Sequence, residues 1–148
     1  MEYIRTTIDK IPTLLLLEAD PSQASIESYP LESACYVAKD CDLIIGACVV
    51  KQIDEYSAEV LNIAVLPAFQ GQGIGSELLK FALATLAEEK VRRVELGTGS
   101  FGYQLTYYQR VGFRVDKVVK DYFLDHYPEP IMEQGIQHKD MLRLYIDL

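Results

Sequence analysis

The feature that most limits how this chain can fold is a glycine-rich turn placed directly before an amphipathic helix. The turn reads Gln70-Gly71-Gln72-Gly73-Ile74-Gly75. From Gly73 to Lys90 the apolar residues follow helical spacing, and polar or charged residues fall on the opposite side. Glycines let backbone N–H groups approach a ligand closely, and the start of a helix adds N–H donors and a partial positive charge. This combination predicts a binding site for a phosphate or pyrophosphate that needs no lysine.

Two other phosphate-binding motifs do not fit this turn. A P-loop ends in Gly-Lys-Ser or Gly-Lys-Thr, whereas here Ser76 directly follows Gly75. The dinucleotide fingerprint G-x-G-x-x-G, counted from Gly71, requires glycine at position 76. A nucleotide-binding domain is therefore disfavoured. The other alternative is a turn without a ligand, but three glycines opening a helix are unfavourable for packing alone.

Length and charge narrow the class of protein further. The 148 residues suffice for one domain, and we predict a single domain over residues 1–148. A net charge of −8, with no run of lysines and arginines, argues against a nucleic-acid partner. The leucine run Leu14 to Leu17 is too short to span a membrane. The N-terminus has no secretory signal, so the prediction is a cytoplasmic protein with no membrane partner.

No metal site is predicted. Cys35, Cys41 and Cys48 are odd in number, contain no C-x-x-C pair and lie in apolar, strand-like surroundings, which favours buried structural thiols. The two histidines, His126 and His138, are far apart in sequence and lie in no metal-ligand spacing.

The pattern of elements predicts a mixed α/β domain. The second to fourth strands are closely spaced and predict an antiparallel meander, whereas the helix between the fourth and fifth strands predicts a parallel pair. Gly97-Thr98-Gly99-Ser100 is expected to break the fifth strand. Strands are predicted at 2–7, 34–39, 43–53, 57–65, 91–96, 113–119 and 141–147, and helices at 11–19, 22–28, 73–90 and 102–111.

Two segments resemble motifs of the GCN5-related N-acetyltransferase (GNAT) family. Residues 61–79 are similar to its motif A, whose signature Gln/Arg-x-x-Gly-x-Gly/Ala is matched by Gln70, Gly73 and Gly75. Residues 108–113, Tyr-Gln-Arg-Val-Gly-Phe, resemble the end of its motif B. With its segment 127–131, Tyr-Pro-Glu-Pro-Ile, the chain also resembles uncharacterised bacterial small-molecule acetyltransferases that carry a similar segment. The resemblance implies a GNAT-like mixed, mostly antiparallel sheet with a splayed parallel pair, formed by the fourth and fifth strands, flanked by helices.

The resemblance also implies acetyl-CoA as cosubstrate, held between the splayed strands. The backbone of Ile63, Ala64 and Val65 would bind the pantetheine arm and the thioester carbonyl. The turn would bind the pyrophosphate through Gln70, Gly71, Gln72, Gly73, Ile74, Gly75 and Ser76. Many family members carry a pantetheine-binding asparagine in the loop after the fifth strand. This loop has none, so Ser100 or Thr98 is expected to replace it.

The implied reaction is transfer of acetyl from acetyl-CoA to a primary amine of a small molecule or peptide, by direct attack in a ternary complex. Tyr108 matches the tyrosine that protonates the departing thiolate in the family. Glu59, six residues before Val65, matches the glutamate base of one branch, while other members use ordered water. Asn62 would orient such a water or would satisfy a strand bulge.

Acceptor specificity in the family comes from segments corresponding to residues 14–29 and 121–139. The second segment combines aromatic residues with Asp125, Glu129 and Glu133, which would attract an amine or would belong to a packed connection. His126 is a proton carrier if it faces the site and a surface histidine otherwise. Family members often form homodimers, which the sequence alone does not establish. The alternative function is a non-catalytic module that binds or senses acyl-CoA.

Overall fold

Contacts in the computed structural model, which describes all residues from Met1 to Leu148, divide the chain into two compact units. The first comprises Met1–Val94 and Leu148, and the second comprises Glu95–Asp147. None of the helices is long and apolar enough to cross a membrane.

The first unit contains four antiparallel strands that lie in the sheet in chain order. Its strands are β1 (Glu2–Thr6), β2 (Ala34–Asp40), β3 (Leu43–Gln52) and β4 (Ser57–Val65), each paired with the next. Its helices are α1 (Thr13–Leu16), α2 (Gln23–Glu27) and α3 (Ile74–Glu88). The two centre strands are buried over most of their length because α3 packs against β2, β3 and β4, and α1 packs against β3 and β4.

The leucine-rich segment forms a shorter helix than the sequence predicted. α1 ends at Leu16. The chain continues to Ala19 through turns in which the N–H of residue i+3 donates to the carbonyl of residue i. Pro12 is the N-cap of α1. Ser22 is the N-cap of α2, since its hydroxyl accepts a hydrogen bond from the Ser25 amide at 3.1 Å.

A buried polar network fixes these short helices to the sheet. The Asp20 carboxylate accepts hydrogen bonds from the hydroxyls of Ser25 (2.7 Å) and Tyr29 (2.8 Å). The Asn62 amide donates to the Leu16 carbonyl at 2.9 Å, and its strand has a bulge next to that residue. The Asn62 side chain therefore joins β4 to the end of α1, while its Oδ1 atom is buried without a hydrogen-bond partner.

The second unit contains a three-stranded arrangement in the order β5-β9-β6. Its elements are β5 (Arg93–Gly99, which begins in the first unit), α4 (Tyr103–Val111), β6 (Arg114–Val119), α5 (Tyr122–His126), β7 (Met132–Glu133), β8 (Ile136–Gln137) and β9 (Met141–Asp147). β6 and β9 are antiparallel, and β7 and β8 form a separate hairpin.

The predicted break in the fifth strand is wrong, because β5 continues through Gly97 and Gly99. A Cβ at Gly97 would lie 2.5 Å from the Met141 sulfur, and a Cβ at Gly99 would lie 2.5 Å from Nδ1 of His138. These glycines therefore serve close side-chain packing within an intact strand rather than a turn.

Candidate active site

The end of β4 and the glycine-rich turn form one continuous structure. Beyond Val65, a short 3₁₀ turn at Pro67–Phe69 leads to Gln70, whose side-chain amide donates to the Val65 carbonyl at 2.9 Å. The Leu66 amide donates to the Ile45 carbonyl of β3 at 2.8 Å. Since successive residues of a strand direct their backbone groups to opposite edges, those of Val65 and Ile63 face the edge of β4 away from β3. The structure thus brings together Ile63–Val65 and the turn.

Backbone conformation explains the glycines of the turn. Gly71 and Gly73 have φ angles of +75° and +83°, which side chains disfavour. A Cβ at either position would meet no atom within 4 Å, so crowding does not require glycine there. The turn is exposed from Gln70 to Gly73, and α3 begins at Ile74. An open, glycine-containing turn before a fifteen-residue helix fits a pyrophosphate, because a helix does not use its first N–H groups in its own hydrogen bonds.

Tyr108 and Ser100 belong to the second unit. Tyr108 lies on α4 and is only 7% exposed, and its ring packs edge-on against Phe113 with centroids 5.9 Å apart. The neighbouring Tyr107 ring lies 5.0 Å away. α4 ends at Gly112, whose φ of +124° stops the helix where the sequence predicted. Ser100 is exposed in the loop after β5, whereas Thr98 is buried.

Glu59 lies near the start of β4, where its register partner on β3 is Lys51. It is partly buried. It lies four positions before Ile63, which corresponds to roughly 13 Å along an extended strand. Glu59 is therefore too far from Ile63 for the two residues to contact the same atom directly.

The acidic residues of segment 121–139, predicted to contribute to acceptor specificity, differ in their surroundings. Asp125 and Glu129 are exposed, and so is His126, whose ring stacks on Tyr122 with centroids 4.2 Å apart. The buried histidine is His138, whose Nε2 lies 2.8 Å from Oε1 of Glu133. Sequence reasoning assigned no role to His138. The signal for this pair was the Gln134-Gly135 turn, which brings the two sides of a hairpin together.

The three cysteines differ in reactivity. Burial raises the pKa of the Cys35 thiol to about 11 and raises that of Cys48 further, while Cys41 is exposed in the turn between β2 and β3. Buried thiols are confirmed for Cys35 and Cys48 and are wrong for Cys41, because the turn after β2 carries it into solvent. No group of three or more histidine, cysteine or acidic side chains is arranged to hold a metal ion.

We expect a thiol reagent at about pH 8 to modify one cysteine of the native protein rapidly, the exposed Cys41, because the reagent does not reach the two buried thiols. All three should react in denaturant. Ellman's reagent measures the number of reactive thiols in the native and in the denatured protein. Cys41→Ser is the matched control that should remove the rapid phase. Three rapidly reacting thiols in the native protein would contradict the burial of β2 and β3.

Comparison with known proteins identifies the family. The family described as "Acetyltransferase (GNAT) domain" matches residues 32–115, more than half of the chain. The chain is 39% identical over 149 aligned positions to the "Uncharacterized N-acetyltransferase YvbK" of Bacillus subtilis (strain 168), covering 100% of this chain and 96% of that protein. The chain belongs to the GNAT family of acetyltransferases.

Solved structures agree with this assignment. One is a GNAT family acetyltransferase from Elizabethkingia anophelis with acetyl-CoA bound, 39% identical with a TM-score of 0.91, covering 99% of this chain and 98% of that one. Another, named an IAA acetyltransferase from Bacillus cereus ATCC 14579, has the same identity and TM-score and covers 99% and 100%. The predicted fold class, a GNAT-like mixed sheet flanked by helices, is confirmed. The protein is therefore a member of a family of acetyltransferases, and a solved relative at 39% identity has acetyl-CoA bound.

Proposed function

We propose that this protein transfers the acetyl group of acetyl-CoA to a primary amine of a small molecule or peptide, by direct attack within a ternary complex. The observation that carries the proposal is the junction of β4 and α3, where Gln70 anchors the open glycine turn to the Val65 carbonyl. The outward backbone of Ile63 and Val65 would bind the pantetheine arm, and the amides of residues 71–76 would bind the pyrophosphate. Ser100 would add a contact from the loop after β5.

The reaction requires two proton transfers. The amine nitrogen forms a bond to the thioester carbon, the carbon–sulfur bond breaks, and CoA leaves as a thiolate. Tyr108 would donate its phenolic proton to that sulfur and recover a proton from solvent. Water connected to Glu59 would remove the proton from the attacking nitrogen. Backbone N–H groups of β4 would stabilise the charge that develops on the thioester oxygen.

The cysteines support direct attack rather than an acetylated enzyme. Cys35 and Cys48 are fully buried, and their raised pKa values keep them protonated, so neither is a good nucleophile. Cys41 lies in the turn between β2 and β3, not in the elements proposed to bind acetyl-CoA.

Incubation with acetyl-CoA in the absence of an amine should leave the mass of the protein unchanged. Intact-protein mass spectrometry measures this, and Cys41→Ser controls for chemical acetylation of the exposed thiol. CoA release should begin only when an acceptor amine is added. A stoichiometric acetyl adduct that disappears on addition of amine would contradict direct attack.

We assign residues 1–148 to one domain, because β5 begins in one of the two compact units and continues into the other. The cytoplasm supplies acetyl-CoA and is the proposed location. The name of the Bacillus cereus relative provides one acceptor to test, IAA, alongside amines.

A further inference from the structure

A hydrogen-bonded histidine–glutamate pair lies at a hairpin that the proposed reaction does not use. Gln134 and Gly135, with φ angles of +53° and +77°, form the tight turn between β7 and β8. This turn brings Glu133 back toward His138, and Nε2 of His138 lies 2.8 Å from Oε1 of Glu133. His138 is 6% exposed, and Glu133 is partly buried.

The pair lies directly against the loop that joins β5 to α4. A Cβ at Gly99 would lie 2.5 Å from Nδ1 of His138, and a Cβ at Gly102 would lie 2.5 Å from Oε2 of Glu133. Between these glycines, the Phe101 ring stacks on the His138 ring with centroids 4.0 Å apart and an interplanar angle of 10°. The loop from Gly99 to Gly102 is therefore in contact with the pair at each end and in the middle.

The pair is not an arrangement optimised for stability alone. Nδ1 of His138 is buried and has no hydrogen-bond partner. Buried polar atoms are nearly always paired, and one that is not calls for an explanation. An apolar side chain of similar size would fill the space without an unpaired nitrogen. A polar pair with an unpaired buried nitrogen therefore points to a functional constraint on the loop that it contacts.

We propose that Glu133 and His138 are positioning residues that set the conformation of the Gly99–Gly102 loop for binding acetyl-CoA. The inference rests on the proposed function, which assigns Ser100 of this loop to the cosubstrate. The loop ends at the first residue of α4, Tyr103, so the pair also fixes the start of the helix that carries Tyr108. The pair acts through the loop because its polar atoms face each other and the glycines.

The test compares the KM for acetyl-CoA, kcat and Tm in four proteins. The double variant Glu133→Met/His138→Leu replaces the pair by apolar side chains of similar volume. It should raise the KM for acetyl-CoA about tenfold through misplacement of the loop, with kcat changed less and Tm unchanged or higher. Glu133→Gln retains an oxygen that accepts from Nε2 and should keep KM within about twofold of wild type.

Glu95→Gln is the matched control, because it removes the carboxylate from another partly buried ion pair of the same unit, Glu95–Arg143 at 3.4 Å. It should leave KM unchanged. The proposal is overturned if the double variant keeps the wild-type KM, or if Glu95→Gln raises KM equally. The proposed function fails separately, and only if the wild-type protein itself neither binds nor uses acetyl-CoA.

Discussion

Replacing Gly73 by glutamate should abolish the stabilisation that acetyl-CoA gives to the wild-type protein. A ligand present at 100 times its Kd and bound only to the folded state adds about 2.7 kcal/mol to the free energy of unfolding. In the variant, a negatively charged side chain would project from the turn proposed to bind the pyrophosphate and would repel it. Thermal unfolding with and without acetyl-CoA measures the difference.

The variant should still fold, because a Cβ at Gly73 meets no atom within 4 Å. Its φ of +83° makes any side chain unfavourable, at a cost of about 1–2 kcal/mol. Gly73→Gln carries the same backbone strain and nearly the same volume without the charge, and it should retain part of the ligand-induced shift. A folded Gly73→Glu protein that is stabilised as much as wild type would exclude this turn as the pyrophosphate site.

Tyr108→Phe should lower kcat by about 10²–10³-fold while leaving acetyl-CoA binding unchanged. The substitution removes only the phenolic oxygen and keeps the ring that packs against Phe113. Without this acid, the CoA sulfur must leave as a thiolate or take its proton from water. Steady-state kinetics at saturating cosubstrate, combined with the thermal shift, separates the two effects.

Tyr107→Phe is the matched control, since Tyr107 is adjacent on α4 and its ring lies 5.0 Å from that of Tyr108. It should retain nearly full kcat. If the loss of activity follows Tyr107 instead, or if neither substitution lowers kcat, the assignment of Tyr108 as the acid is wrong.

The sequence was sufficient for the elements that depend on periodicity and on clear end signals. β4 and β9 begin and end at the predicted residues, and α3 differs only at its termini. Gly112 and Ser22 mark helix ends because each has a local conformation or hydrogen bond that specifies the boundary. These features are local, so a pattern of neighbouring residues is enough to predict them.

The structural role of a glycine could not be read from the sequence, because two different physical requirements select the same residue. In the turn before α3, Gly71 and Gly73 are required by positive φ, whereas Gly97 lies within β5 and accommodates Met141. The first role is local, but the second depends on a residue 44 positions later along the chain. A single sequence does not distinguish them, so the end of β5 was predicted too early.

The candidate site shows the same division. The position of the turn before α3 and that of Tyr108 on a helix could be predicted, because each belongs to a short continuous motif. The hydrogen bond from Gln70 to the Val65 carbonyl required coordinates, although Gln70 itself was predicted. His138 was missed because Phe101 and Gly99, which contact its ring, lie far from it in sequence, although Glu133 is only five residues away.

The measurement that tests the central claim most directly follows radiolabelled acetyl from acetyl-CoA to a panel of primary amines, peptides with free N-termini and IAA. Wild-type protein should produce a labelled amide with at least one amine, and CoA release should match it in amount. Tyr108→Phe should slow both. If acetyl-CoA stabilises the protein but no acceptor gains label, the protein is a module that binds acyl-CoA without catalysis, and the proposed transfer to an amine is contradicted.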